Sequence, residues 1–136
     1  MPVKVVDASA VCALLFGEPG SARTSASLGE GRLAAPVLID YEVASVCRKK
    51  IGIHPELREP LLSAFRLLQR FPVDRYGVDA EEVILLAEKT GLSVYDASYL
   101  WLALALRAEL VTLDRRLASA SRRILPQAMA VRPGGP

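Results

Sequence analysis

Short apolar runs alternate with helical stretches along nearly the whole chain, and this alternation restricts the fold more than any other feature. Val3 to Val6 reads as a buried strand, followed by a helix from Ala8 to Phe16. A Gly17-Glu18-Pro19-Gly20 break separates it from a polar helix over Ser21 to Leu28, and Leu33 to Ala35 forms a very short strand. Beyond Pro36 a helix carries Tyr41 to Lys50. After a turn from Gly52 to Pro55, a long amphipathic helix spans Glu56 to Arg70, with Leu57, Leu61, Leu62, Phe65 and Leu68 on its apolar side. Phe71 to Tyr76 is a strand, Ala80 to Lys89 a helix ended by Gly91, and Tyr95 to Arg107 another helix. Glu109 to Leu113 is the fourth strand, Arg115 to Ser121 a helix, and Ala128 to Arg132 a last strand. Strands joined through helices imply right-handed crossovers and a parallel sheet with helices on both faces.

A chain of 136 residues suits one such domain, here residues 1–132, with the Pro/Gly tail 133–136 expected to be disordered. Apolar residues make up 51% and aromatics only 6%, so the core must be mainly aliphatic. Cys12 and Cys47 sit in apolar surroundings without a CxxC pair and read as buried reduced thiols. The N-terminus lacks the apolar run of a signal peptide, and the apolar stretch Tyr95 to Leu106 contains Asp96 and is too short to span a bilayer. A soluble cytoplasmic domain with no membrane contact is therefore expected. With 17 basic and 15 acidic residues, the net charge of +2 is not the footprint of bulk electrostatic nucleic-acid binding. Positive charge is local, in Arg48-Lys49-Lys50 and in Arg115, Arg116, Arg122, Arg123 and Arg132; each cluster also reads as a solvated face.

In open parallel sheets, ligands collect at the carboxyl ends of the strands. Asp7 follows the first strand and Asp114 the fourth. Two further acids, Glu42 and Asp96, also interrupt apolar settings. Each has a structural explanation. Asp7 and Asp114 can cap helices, Glu42 complements a helix N-terminus, and Ser93-Val94-Tyr95-Asp96 has capping-box spacing. Helical geometry argues otherwise for Asp96, which shares a face with Tyr99, Leu100, Ala103 and Leu104, and partly for Glu42, which aligns with Ser45, Val46 and Lys49. Carboxylates gathered in an apolar setting repel one another and have raised pKa values. A hard divalent cation with oxygen ligands offsets that cost.

Taken in order, Val6-Asp7-Ala8-Ser9, Ala35-Pro36, Tyr41-Glu42-Val43-Ala44, Val94-Tyr95-Asp96-Ala97-Ser98-Tyr99 and Leu110-Val111-Thr112-Leu113-Asp114-Arg115-Arg116-Leu117 resemble the PIN-domain family and, within it, the VapC toxins. The resemblance covers nearly the whole chain and rests on the ordered set, since no single piece is specific. It implies a three-layer α/β/α fold with a five-stranded parallel sheet and a metal-dependent endoribonuclease using Mg2+ or Mn2+. By position, Asp7, Glu42, Asp96 and Asp114 would be the metal-binding acidic quartet. Ser9 and Thr112 would be accessory hydrogen-bonding groups. Asp40, two residues from Glu42, is an alternative cap or competitor for its role. Further implications are cleavage by water to 5′-phosphate and 3′-hydroxyl ends, an RNA substrate, a homodimer and a small antitoxin partner. The antitoxin would occupy an apolar groove of the early helices, with Leu14, Leu15, Phe16, Leu61 and Phe65 as candidates. Trp101 reads as core or dimer surface.

Other readings fit less well. Haloacid-dehalogenase-like phosphatases need Asp-x-Asp where this chain has Asp7-Ala8-Ser9, response-regulator receivers need an acidic pair and a late Lys, and dinucleotide folds need a Gly-rich first turn. A histidine-pair ribonuclease is impossible with one histidine, His54, which reads as a surface turn residue. The alternatives that stand are a non-catalytic PIN-like interaction module and a PIN nuclease outside toxin–antitoxin systems.

Overall fold

The apolar run Val3–Val6 (β1) lies at the centre of a parallel sheet of order β3-β2-β1-β4-β5 in a computed structural model that describes residues 2–29, 31–125 and 130–131. Its neighbours are Arg32–Pro36 (β2) and Glu109–Val111 (β4), with Val73–Tyr76 (β3) beyond β2. The continuous burial of Val5 and Val6 follows from this central position, which leaves neither face to solvent. The helices are Ala8–Phe16 (α1), Ser21–Leu28 (α2), Ile39–Ile53 (α3), Arg58–Arg66 (α4), Ala80–Thr90 (α5), Val94–Leu106 (α6) and Arg115–Ile124 (α7). Helix α1 packs with α2, α3 and α4, whereas α5, α6 and α7 pack together and α6 lies against β1, β2 and β4. Two helical groups thus sandwich the sheet, and the core between them is aliphatic, with Tyr99 its largest fully buried side chain.

One expectation is narrowed and one needs correction. The parallel sheet has four strands of three to five residues and, at its edge, Ala130–Val131 (β5), paired with Leu110 and Val111. The remainder of the expected last strand and the tail 133–136 lie outside the described residues. The expected helix from Glu56 to Arg70 is instead a 3₁₀ turn (Pro55–Leu57), α4 and a second 3₁₀ turn (Leu67–Arg70). Pro60 is the reason: it has no N–H to offer the carbonyl of Glu56, and its ring clashes there, so it is tolerated only within the first turn of a helix.

The strand order reverses at β1, since the chain adds β2 and β3 on one side and β4 and β5 on the other. The crevice between the carboxyl ends of β1 and β4 is the topological switch point. It is tied by the Asp7 N–H donating to the Val111 carbonyl at 3.2 Å. Among the described residues no helix is long and apolar enough to cross a membrane.

Candidate active site

Asp7 leaves β1 in extended conformation and caps α1, its Oδ1 accepting from the Ala10 N–H at 3.1 Å. The same carboxylate is 4% exposed and receives the Ser9 hydroxyl on Oδ1 at 2.7 Å and the Thr112 hydroxyl on Oδ2 at 2.5 Å. Ser9 Oγ in turn accepts from the Leu113 N–H at 2.9 Å, and Thr112 Oγ1 from the Asp114 N–H at 3.0 Å. Asp7 is thereby stitched to the segment after β4. Asp114 caps α7 by accepting from the Leu117 N–H at 3.0 Å. Asp96 receives a cap rather than forming one, its N–H donating to Ser93 Oγ at 3.1 Å. Capping and convergence are compatible for these acids, because a helix N-terminus at the strand ends both needs an acceptor and faces the crevice.

The four expected acids line one cavity of about 470 Å³, joined by Glu18, for which the sequence offers only a turn position. Gly17 takes a left-handed conformation (φ 62°) that reverses the chain after α1 and brings Glu18 back over the site, where it also pairs with Lys50. The lining holds five acids and no basic side chain. Tyr99, one turn along α6 from Asp96, donates its hydroxyl to Glu42 Oε1 at 2.5 Å. Spacing alone placed Tyr99 on the face of Asp96, but only the structure reveals that its polar tip orients Glu42. Asp40 is not part of the cavity; both its oxygens accept from Arg75 of β3, each at 2.8 Å. His54 caps the end of α3 in an exposed position, 3.3 Å from Glu56.

Burial dominates the electrostatics. It pushes the Asp7 carboxyl up to about 6, against the hydrogen bonds from Thr112, Ser9 and Ala10 that favour its charged form, with Asp114 adding repulsion. Glu42 is raised chiefly by burial and then by Asp96, partly relieved by Tyr99. Asp96 is raised by burial and by Asp114, with Ser93 and Arg116 acting the other way. The Cys12 thiol, also in the cavity, is pushed up to about 12 by burial and then by Glu18 and Asp7, which favours its protonated form. Cys47 is likewise a buried free thiol.

A cavity lined by five acids, of which only Glu18 forms an ion pair among the described residues, fits a hard cation such as Mg2+ or Mn2+. Among the described residues, no group of three or more His, Cys, Asp or Glu side chains is drawn tightly enough to enclose an ion unaided.

The PIN-domain profile matches residues 4–123, which span every acid of the cavity. This chain belongs to the PIN-domain family. The domain is 36% identical over 127 residues to Ribonuclease VapC9 of Mycobacterium tuberculosis, covering 90% of this chain and 94% of that protein. It is 33% identical over 119 residues to Ribonuclease VapC3 of Pyrobaculum aerophilum, covering 84% and 91%. The crystal structure of PAE2754 from Pyrobaculum aerophilum is similar to this PIN domain with a TM-score of 0.70, at 25% identity, over 93% of this chain and 96% of that one. Elsewhere on the PIN domain, Leu14, Leu15, Phe16 and Phe65 are half-buried against the core. Trp101 is half-buried too, its indole N–H donating to Glu82 at 2.9 Å.

Proposed function

We propose that this PIN domain is the endoribonuclease toxin of a VapC-type toxin–antitoxin pair and that it uses Mg2+ or Mn2+. The observation that carries the reading is the convergence of Asp7, Glu42, Asp96 and Asp114, from four separate segments, on one cavity at the switch point of the sheet. The ribonuclease relatives supply the reaction class.

In this reading carboxylates of this quartet would hold a largely hydrated cation, which would neutralise charge on the scissile phosphate and make water a better nucleophile. Ser9 and Thr112 fix the Asp7 carboxylate by donating to both of its oxygens. Tyr99 holds Glu42 in the same way. Asp96, half-buried at the start of α6, orients the attacking water and takes its proton. The products carry 5′-phosphate and 3′-hydroxyl ends. The antitoxin docks on a mainly apolar groove of about 200 Å³ between α3 and α4, lined by Ala44, Cys47, Arg48, Ile51, Leu62 and Phe65, of which only Phe65 is among the residues expected from sequence. Action in the cytoplasm and assembly as a homodimer belong to the same proposal.

Induced expression in a bacterial host, comparing the native protein with Asp7→Asn, tests the reading. Growth arrest and new RNA 5′ ends are expected from the native protein alone. Folded protein supplied with Mg2+ or Mn2+ that cuts no cellular RNA would instead favour a non-catalytic interaction module.

A further inference from the structure

Six of the eight aromatic residues, Phe16, Phe65, Phe71, Tyr76, Tyr99 and Trp101, belong to the core or pack against it. The two that do not are Tyr41, 80% exposed, and Tyr95, 62% exposed. Both line the same cleft, of about 530 Å³, although they come from different helices. Each immediately precedes a cavity acid, Tyr41 before Glu42 and Tyr95 before Asp96. Successive helical residues point about 100° apart, so the turn that sends each carboxylate into the acidic cavity leaves its tyrosine on the outer rim. The cleft and the acidic cavity share Ala8, Glu42 and Val46 as a common wall.

The rest of the cleft floor matches the chemistry of a nucleotide. Tyr41, Ser45 and Lys49 recur at i, i+4 and i+8, forming one exposed stripe of α3 that runs away from the acids. Lys50 is occupied by Glu18, and Arg48 lines the separate α3–α4 groove. Lys49 makes no ion pair among the described residues and is the lysine that faces this cleft. Neither tyrosine hydroxyl has a protein hydrogen-bond partner among the described residues. Exposed aromatic faces beside a cation and a phosphate-cleaving cavity suit an unpaired nucleobase, whose π-face any aromatic ring accepts.

We propose that this cleft is a base-stacking subsite. A nucleobase adjoining the scissile phosphate seats against Tyr41 and Tyr95, with the next phosphate on Lys49 and Ser45 within reach of the sugar or base edge. The proposal rests on the ribonuclease reading. It requires the segment bound there to be unpaired, since a base held in a duplex cannot present its face.

The test compares RNA affinities in an Asp7→Asn background, so that binding is read without cutting. The probe is a short single-stranded RNA with 2-aminopurine placed at successive positions. Tyr41→Ala and Tyr95→Ala are each expected to weaken binding about tenfold, while Tyr41→Phe and Tyr95→Phe bind as the parent does. Stacking on tyrosine quenches 2-aminopurine at one position beside the cut site, the quench disappears in the alanine variants, and annealing a complementary strand abolishes binding. In otherwise native protein the alanine changes raise KM and leave kcat within a few-fold. Unchanged affinity and quench in both alanine variants overturn the proposal. So does loss of self-association by sedimentation with RNA binding intact, which would make the cleft an interface between copies. Failure of the native protein to cut any RNA sinks the ribonuclease reading independently of the stacking result.

Discussion

Asp7 bears most of the electrostatic cost of the site. Raising its carboxyl from 3.8 to about 6 corresponds to on the order of 3 kcal/mol against the charged form in the cation-free protein. The sign follows from the folded state binding the proton more tightly. The contribution to stability is fully present below pH 3.8 and is lost as pH rises through about 6. In chelator, Asp7→Asn is therefore expected to raise the melting temperature at pH 7.5, and the advantage over the parent shrinks as pH falls toward 5. A difference that does not vary with pH would refute this account. Thr112→Val should act in the opposite direction. Thr112 is fully buried, donates to Asp7 and accepts from the Asp114 N–H, so the apolar isostere strands both groups at a cost of about 1–3 kcal/mol, read as a lower denaturant midpoint. The acids were legible because each broke an apolar run. Thr112 was legible only through its resemblance to a Thr-x-Asp element, and Glu18 not at all, since its place depends on a left-handed turn at Gly17.

Element boundaries show which local signals suffice. Helices α1 and α2 fall on the residues their patterns predict, and Gly91 ends α5 in the left-handed region. Pro60 carried a plain breaking signal that the amphipathic periodicity of the flanking leucines obscured. The end of α6 is unusual: its cap is Arg107, an exposed residue at φ 51°, where a side chain costs about 1 kcal/mol that glycine avoids. The Arg107 N–H still closes the helix by donating to the Leu104 carbonyl at 3.2 Å. Arg107→Gly is accordingly expected to stabilise the protein by about 0.5–1 kcal/mol, measured by chemical denaturation at constant m. Destabilisation would mean that the arginine side chain makes contacts worth more than the strain it incurs.

Only the assembled molecule contains the cavity, because residues 7, 42, 96 and 114 are brought together by the strand order and not by any local element. Sequence supplied the acids and the switch-point rule, but the distances between side chains and the exclusion of Asp40 by Arg75 required the packed fold. Under the proposed function, cation binding would therefore be linked to folding, since the unfolded chain offers no equivalent site. At a concentration one hundred times its dissociation constant, a divalent cation adds about 2.7 kcal/mol, which for a domain of this size raises the melting temperature by about 10 °C. Mn2+ or Mg2+ should produce such a shift at pH 7.5, and sodium at matched ionic strength should not. Protons compete for the same carboxylates, so the shift should diminish as pH falls below about 6, where Asp7 is protonated. Asp7→Asn and Asp96→Asn should each reduce it, while Asp40→Asn, whose carboxylate lies with Arg75 outside the cavity, should leave it intact. Equal reduction in all three variants would mean that the cation responds to diffuse negative charge and not to this cavity.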